Sequence, residues 1–142
     1  RHRILELDSN SNIVKIIGGP GSDKPLYFPQ CVTVDSKGRY YVGDKNGVKV
    51  YGTDGKFLFS FRERSSVKFK KVADIGIWKT KYVVVADSVK GIVSFHNLNG
   101  KDVHDTTTAF SGEKFENPID IFVDANQKLY ILDHSSNRIF VY

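Results

Sequence analysis

The chain has 142 residues, of which 40% are hydrophobic and 26% are charged, and its formal net charge is +5. This length and composition predict one folded domain and exclude a largely disordered chain. The longest apolar run, Tyr82 to Ala86, is far shorter than the roughly 18 residues that a membrane-spanning helix needs. We therefore predict no membrane contact.

The compartment is suggested by two further features. Cys31 is the single cysteine, so an intramolecular disulfide is excluded. The N-terminus opens with charged residues, without the apolar stretch of a secretory signal. We expect a cytoplasmic protein, and no pattern of residues predicts a cofactor.

Taken in chain order, the sequence predicts short strands separated by turns rich in Gly, Asn and Asp, residues that suit tight hairpins. A first pair of strands is expected at 2–7 and 12–18. Three longer units follow, with strands at 31–35, 40–44, 48–52 and 56–61, then at 74–78, 83–87, 92–96 and 101–106, then at 120–124, 129–133 and 138–142.

The three units are copies of one repeat. An aspartate ends the second strand of each unit, at Asp44, Asp87 and Asp133, with spacings of 43 and 46 residues. The residues that open the units have the same spacings and are Pro29, Val72 and Pro118. Four antiparallel strands in about 45 residues predict the blade of a β-propeller.

The segments "FPQCVTVDSKGRYYVGD" and "ENPIDIFVDANQKLYILDHSSNRIFVY" resemble NHL repeats, whose pattern joins a proline, a valine-rich strand, a "Tyr-Val-x-Asp" strand end and an Asn-His-Arg-Ile element. "HRI" at 2–4 and "NRI" at 137–139 match the last element. The resemblance covers nearly the whole chain and implies an all-β propeller. The second unit departs from it, since Val72 replaces the proline and "SVKG" replaces Asn-His-Arg.

The expected fold class is therefore an all-β propeller of NHL type within residues 1–142, with three four-stranded blades. Residues 1–19 end one blade, 28–61 form a blade, 71–108 form a divergent blade, and 117–142 form a partial blade. The resemblance implies six blades in a complete ring, so the three blades predicted here are half a ring. Either the chain is a fragment or two copies close the ring as a homodimer. The absence of methionine favours the fragment.

In a propeller, the turns between the second and third strands share one face with the connections between units, and we call this the top face. Positive charges concentrate there, with Tyr27, Phe69 and Phe115 beside them. Cations bind phosphates and aromatic rings stack on bases, so this combination suits RNA, although Phe69 and Phe115 also suit packing between blades. The predicted contacts to RNA or to a protein partner are Lys24, Lys45, Arg62, Arg64, Lys68, Lys70, Lys71, Lys90, Lys114 and Arg138.

No catalytic residue and no metal site are predicted. An aspartate at the same place in each of three units is best explained as an acceptor for N–H groups of the following turn. His2 and His134 fall on the top face, whereas His96 and His104 fall in or near the outer strands, so the histidines do not have metal-ligand spacing.

We predict a non-enzymatic binding module whose favoured ligand is single-stranded or structured RNA, because the resemblance extends to the tripartite-motif NHL proteins. A scaffold for protein–protein interaction, such as substrate recognition for a ubiquitin ligase, is the alternative. A metal-dependent propeller similar to lyases is a third.

Overall fold

The structure is a computed structural model that describes residues 2–61, 69–106 and 112–142, with the backbone alone for 102–106. These residues form thirteen strands: β1 (Ile4–Leu7), β2 (Ile13–Ile17), β3 (Cys31–Val34), β4 (Tyr40–Asp44), β5 (Gly47–Tyr51), β6 (Phe57–Phe61), β7 (Val72–Trp78), β8 (Tyr82–Asp87), β9 (Ile92–Asn97), β10 (Asp102–Thr106), β11 (Pro118–Val123), β12 (Leu129–Asp133) and β13 (Arg138–Val141). Each predicted strand is confirmed to within two residues.

The strands form four antiparallel sheets in which each strand pairs with its neighbour along the chain. Sheet 1 holds β1 and β2, sheet 2 holds β3 to β6, sheet 3 holds β7 to β10, and sheet 4 holds β11 to β13. Side chains alternate between the two faces of a strand, so sheets 2 and 3 each present one face to the preceding sheet and one face to the following sheet.

Apolar clusters fill the spaces between successive sheets. Tyr41 and Val50 of sheet 2 pack with Val83 and Val85 of sheet 3. A second cluster joins the opposite face of sheet 3 to sheet 4, and a third joins sheet 1 to sheet 2. The β-branched and aromatic residues that favour strand formation in these segments therefore also form the core between the sheets.

The divergent second unit keeps the strand order of the others. Its turn between β7 and β8 contains Lys79 and Thr80 with φ angles of 51° and 52°, where the other units place longer turns. The ring nitrogen of Trp78 donates a hydrogen bond to the carbonyl of Gln127 in sheet 4, at 2.8 Å. This contact ties the divergent turn to the next sheet. Among the described residues, no helix has the length and apolar character needed to cross a membrane.

Candidate ligand-binding cleft

The aspartate that ends the second strand of each unit is a buried hydrogen-bond acceptor. Asp44, Asp87 and Asp133 are at most 2% exposed, so their carboxylates need partners within the protein. Each accepts a backbone N–H from the turn that follows it, donated by Asn46 at 2.8 Å, Val89 at 3.2 Å and Ser136 at 3.2 Å. The prediction that these aspartates have a structural role is confirmed.

The same carboxylates also hold the connection that enters their own sheet. A backbone N–H donor lies 17 residues before each aspartate, in Tyr27 at 3.0 Å, Lys70 at 2.7 Å and Glu116 at 2.7 Å. The sequence interpretation missed this second contact, although its constant spacing was a signal for it. We call each carboxylate with its turn and its connection an aspartate clamp.

The clamp of Asp133 also sets the charge state of that residue. Burial alone would raise the pKa of Asp133, but N–H groups of Glu116, Ser136 and Asn117 outweigh burial and hold the pKa below its usual range. An acid whose pKa is lower in the folded state than in the unfolded state stabilises the fold at pH values above its unfolded-state pKa. This contribution is therefore complete at neutral pH and is lost as the pH falls below about 4.

Two clamps border a cleft of about 180 Å³ on the top face, between sheets 2 and 3. The Asp87 clamp fixes one wall through the N–H groups of Lys70 and Lys71, at 2.7 and 3.3 Å. The Asp44 clamp fixes the turn on the other wall. The lining residues are Phe28, Gln30, Asp44, Lys45, Lys70, Lys71 and Val72.

The cleft carries positive charge. Among the described lining residues the one acid is Asp44, and Lys49 neutralises it, with Nζ 2.5 Å from Oδ2. The side chains of Lys45, Lys70 and Lys71 are exposed. Within residues 2–61, 69–106 and 112–142, none of these three ammonium groups has an ion-pair partner. The cleft thus offers three cations to an anionic ligand.

Phe28 gives the cleft an apolar wall. Its side chain is 58% exposed, and its φ of 50° lies in the left-handed region, where a bulky residue is strained. Three contacts hold it there. Its N–H donates to Nδ1 of His2 at 3.1 Å, its ring meets the His2 ring edge-on at 4.4 Å, and its carbonyl accepts from the Gln30 amide at 3.1 Å.

The structure brings together three of the ten predicted contact residues, Lys45, Lys70 and Lys71, at this cleft. The lining residues Phe28 and Gln30 were missed, although both flank Pro29, the residue that opens the unit. Arg62, Arg64 and Lys68 lie outside the described residues.

The other four predicted contact residues do not line the cleft. Arg138 forms an ion pair with Glu113. Lys24 is exposed and its carbonyl accepts a hydrogen bond from the Tyr51 hydroxyl at 2.7 Å. The remaining two, Lys90 and Lys114, are also absent from the lining. The predicted basic face is therefore divided, with one compact group of cations at the cleft.

The aromatic residues predicted to stack on bases are mostly unavailable. Phe69 is 8% exposed and Phe115 is 5% exposed, whereas Tyr27 is 50% exposed. The Phe69 ring packs in the core between sheets 2 and 3, and the Phe115 ring meets the Phe140 ring at 5.1 Å. Phe69 and Phe115 therefore serve packing between sheets.

No metal centre is evident in the part of the chain that the structure describes. That part contains no group of three or more His, Cys, Asp or Glu side chains arranged to hold a metal ion. His134 is exposed, and His2 supports Phe28.

Two neighbouring carboxylates, Asp74 and Asp120, lie on the first strands of sheets 3 and 4. Asp74 on β7 accepts the N–H of Ile121 on β11 at 2.8 Å, with Asp120 beside it. Burial, partly offset by hydrogen bonds and reinforced by Asp120, raises the pKa of Asp74 to about 6. Burial and then the charge of Asp74 raise the pKa of Cys31 to about 12, which favours the protonated thiol at neutral pH.

Replacing Asp74 by asparagine should stabilise the protein by about 1 kcal/mol at pH 7, because asparagine keeps the acceptor for Ile121 and removes a disfavoured charge. Because the folded pKa of Asp74 exceeds its unfolded value, wild-type stability should rise as the pH falls from 7 to 5. The variant should lack that rise. Urea denaturation at both pH values measures this.

Asp124→Asn is the matched control, since turn N–H groups lower the pKa of Asp124 and its loss should weaken the fold at pH 7. A loss of stability in Asp74→Asn at both pH values would contradict the assignment.

Solved structures share this arrangement of sheets. A virginiamycin B lyase from Staphylococcus aureus superposes with a TM-score of 0.69 and 14% identity, over 99% of this chain and 48% of that chain. The chain has a β-propeller fold. A streptogramin B lyase gives a TM-score of 0.69 and 14% identity over 99% and 47% of the two chains. A protein of unknown function from Bacteroides caccae superposes with a TM-score of 0.66 and 19% identity, over 92% of this chain and 48% of that chain.

The chain thus spans about half the length of these similar structures. No protein-family model matches the sequence, and no curated protein does. At such low identities the similarity shows the propeller fold, whereas the NHL type rests on sequence motifs alone.

The prediction that this module binds RNA is wrong. The similar structures include lyases, which are enzymes, and nothing in these similarities indicates RNA binding. The physical reason lies in the burial of Phe69 and Phe115, which removes two of the three ring faces on which the prediction depended.

Proposed function

We propose that this chain forms half of a six-bladed propeller of NHL type and that its top-face cleft binds a small anionic molecule. The second part rests on the position of Lys45, Lys70 and Lys71 around one cleft, where no carboxylate of the described residues pairs with them. Sheets 2, 3 and 4 would be the three blades, and sheet 1 the end of the preceding one.

The proposal of NHL-type blades is supported by the repeated aspartate clamp. In each unit the same carboxylate receives N–H groups from the following turn and from a residue 17 positions earlier. The proposal of half a ring is supported by the coverage of 47% and 48% of the two lyase structures. Each blade needs neighbours to bury both of its faces.

The class of ligand follows from the size and lining of the cleft. Its volume of about 180 Å³ is below the range of roughly 300–1,000 Å³ found for pockets that take drug-sized molecules. A small molecule fits, or the charged end of a larger one. Ammonium groups suit a phosphate or carboxylate, and Phe28 with Val72 suits an apolar group attached to it.

Titration calorimetry with phenyl phosphate, and separately with inorganic phosphate, tests this proposal. We expect saturable binding of phenyl phosphate that weakens with salt. A double variant, Lys70→Gln with Lys71→Gln, should bind at least about tenfold more weakly, since each hydrogen bond to a charged group contributes about 1.5–3 kcal/mol.

The matched control is the double variant Lys37→Gln with Lys128→Gln, which removes the same charge from exposed turns on the opposite face. It should bind as the wild type does. An equal loss in both double variants would mean that only net charge matters, and the absence of saturable binding to either probe would contradict the proposal.

The similar structures include lyases and the extracellular domain of a sensor protein, so this fold accommodates both turnover and simple binding.

A further inference from the structure

Phe28 departs from the repeat at the cleft. It holds the place in its unit that Lys71 and Asn117 hold in theirs, since each directly precedes the residue that opens the unit. Lys71 and Asn117 donate their backbone N–H groups to the aspartate clamp of their own unit, at 3.3 and 3.1 Å. The Phe28 N–H donates instead to Nδ1 of His2, at 3.1 Å. The clamp of the first unit therefore leaves Phe28 free to take another conformation.

Lys49 accompanies this departure. Its ammonium group donates to Oδ2 of Asp44 at 2.5 Å, so the carboxylate has a charged donor in addition to its backbone N–H donors. The equivalent residues of the other two sheets, judged by strand pairing, are Ser94 and Phe140, which carry no charge. In the first unit, Lys49 thus contacts the carboxylate that would otherwise accept the Phe28 N–H.

The resulting conformation of Phe28 is strained. Its φ is 50°, whereas neither Lys71 nor Asn117 has a positive φ. The left-handed region is costly for a bulky side chain. The Phe28 ring is 58% exposed, so burial of the ring does not explain why the strain is kept. The strained conformation places the ring in the lining of the cleft.

The side chains that hold Phe28 belong to this unit alone. The His2 ring meets the Phe28 ring edge-on at 4.4 Å, and the Gln30 amide donates to the Phe28 carbonyl at 3.1 Å. The equivalents of Gln30 are Ala73 and Ile119, whose side chains cannot donate a hydrogen bond. A departure from the repeat that has its own supporting residues indicates a function rather than a fault in packing.

We propose, on the basis that the cleft binds a small anion, that Phe28 selects anions carrying an aromatic group and that neutral His2 positions the Phe28 ring for this contact. An aromatic group of the ligand would lie offset or edge-on against the Phe28 ring, as aromatic pairs prefer. The cations Lys45, Lys70 and Lys71 would bind the charge of any anion. Affinity for the charge and selection of the attached group then come from different side chains.

The position of the Phe28 ring depends on the protonation state of His2. A backbone N–H donates only to an unprotonated nitrogen, so the observed contact requires neutral Nδ1. Histidine side chains change charge between about pH 8 and about pH 5. Once protonated, Nδ1 is a second donor facing the Phe28 N–H, which then loses its acceptor. Selection for an aromatic group should therefore weaken as the pH falls.

A proton on His2 also adds a positive charge near the cleft. No described residue forms an ion pair with His2. The strand that follows His2, the connection that contains Phe28 and the turn that contacts this connection carry these charged or titratable side chains: Arg3, Asp23, Lys24, Tyr27, Asp44 and Lys45. An added charge strengthens the binding of all anions of equal charge alike. Selection is therefore measured as a ratio between two such anions.

Titration calorimetry with phenyl phosphate and methyl phosphate, at about pH 8 and about pH 5, tests the proposal. At the higher pH, phenyl phosphate should bind at least about fivefold more tightly than methyl phosphate. The variant Phe28→Asn removes the ring, and asparagine tolerates the left-handed conformation. It should lower this ratio about fivefold without lowering the melting temperature. At the lower pH, the wild-type ratio should approach that of Phe28→Asn.

Two variants of His2 test its role as a positioning residue. His2→Asn keeps an acceptor for the Phe28 N–H that cannot gain a proton, so its ratio should be the same at both pH values. His2→Leu has no acceptor and should show a low ratio at both. His96 and His134 remain in every variant, so a pH effect that they cause would also appear in His2→Asn.

The possible failures are distinguishable. Absence of binding by either phosphate ester at the higher pH would overturn the binding function of the cleft itself. Binding of both esters with equal affinity, or an unchanged ratio in Phe28→Asn, would leave the cleft as an anion site and overturn selection by Phe28. A lower melting temperature of Phe28→Asn with the ratio kept would mean that Phe28 serves the fold. A ratio that falls with pH in His2→Asn as in the wild type would exclude His2 as the responsible group.

Discussion

Replacing Asp87 by alanine should lower the free energy of unfolding by about 3–5 kcal/mol, because four backbone N–H donors lose one shared, buried acceptor. The Asp87 carboxylate is 1% exposed. It accepts N–H groups from Lys70, Lys71, Val89 and Lys90 at distances between 2.7 and 3.3 Å. Alanine offers none of these donors a partner. Chemical denaturation followed by tryptophan fluorescence measures the change, since Trp78 lies in the same sheet.

Asp54→Ala is the matched control for this prediction. Asp54 also accepts an N–H from a turn, that of Lys56 at 3.0 Å, but it is exposed. Water can replace the lost acceptor there, so we expect a change within about 1 kcal/mol. Asp87→Asn should fall between the two, because its amide oxygen keeps part of the acceptor capacity. Equal effects of Asp54→Ala and Asp87→Ala would contradict the clamp.

The clamp links stability to the proposed ligand site. Asp87 fixes the backbone of Lys70 and Lys71, so weakening this clamp should release one wall of the cleft. Asp87→Asn should therefore weaken the binding of phenyl phosphate even under conditions in which the variant is fully folded. This effect is expected because a binding site needs side chains held in place by their surroundings.

Much of the fold could be predicted from the sequence, because the repeat determines it. The aspartates at 44, 87 and 133 set the period, and turns rich in Gly, Asn and Asp marked where the strands end. The role of those aspartates as acceptors also followed from their repeated position. All three of these inferences use spacing along the chain, which the sequence displays directly.

The cleft could not be predicted in the same way, because it depends on which side chains meet across two units. Lys45 and Lys71 lie 26 residues apart in the sequence and line one cleft in the structure. Phe69 stands beside Lys70 in the sequence, yet its ring points into the core. The order of the strands therefore located the top face, but charge along the chain did not separate the cations that line the cleft from those that do not.

The glycine that precedes β9 provides the second large expected effect. Gly91→Ala should destabilise the protein by about 2–4 kcal/mol, from left-handed backbone strain and steric overlap together. Gly91 has a φ of 63°. A Cβ at this position would lie 2.7 Å from the carbonyl oxygen of Phe115 and 3.3 Å from that of Glu116. Backbone atoms on the connection into sheet 4 cannot move aside as a flexible side chain can.

The variant Gly21→Ala separates backbone strain from steric overlap, the two causes of the loss expected for Gly91→Ala. Gly21 also has a positive φ, of 89°, but a Cβ there meets nothing within 4 Å. Its replacement should cost only the strain, about 1 kcal/mol. The difference between the variants in urea denaturation then measures the contact between the turn after β8 and the connection that the Asp133 clamp holds. Equal losses in both variants would mean that backbone conformation alone requires glycine at position 91, and that the close approach of the turn to Phe115 contributes nothing to stability.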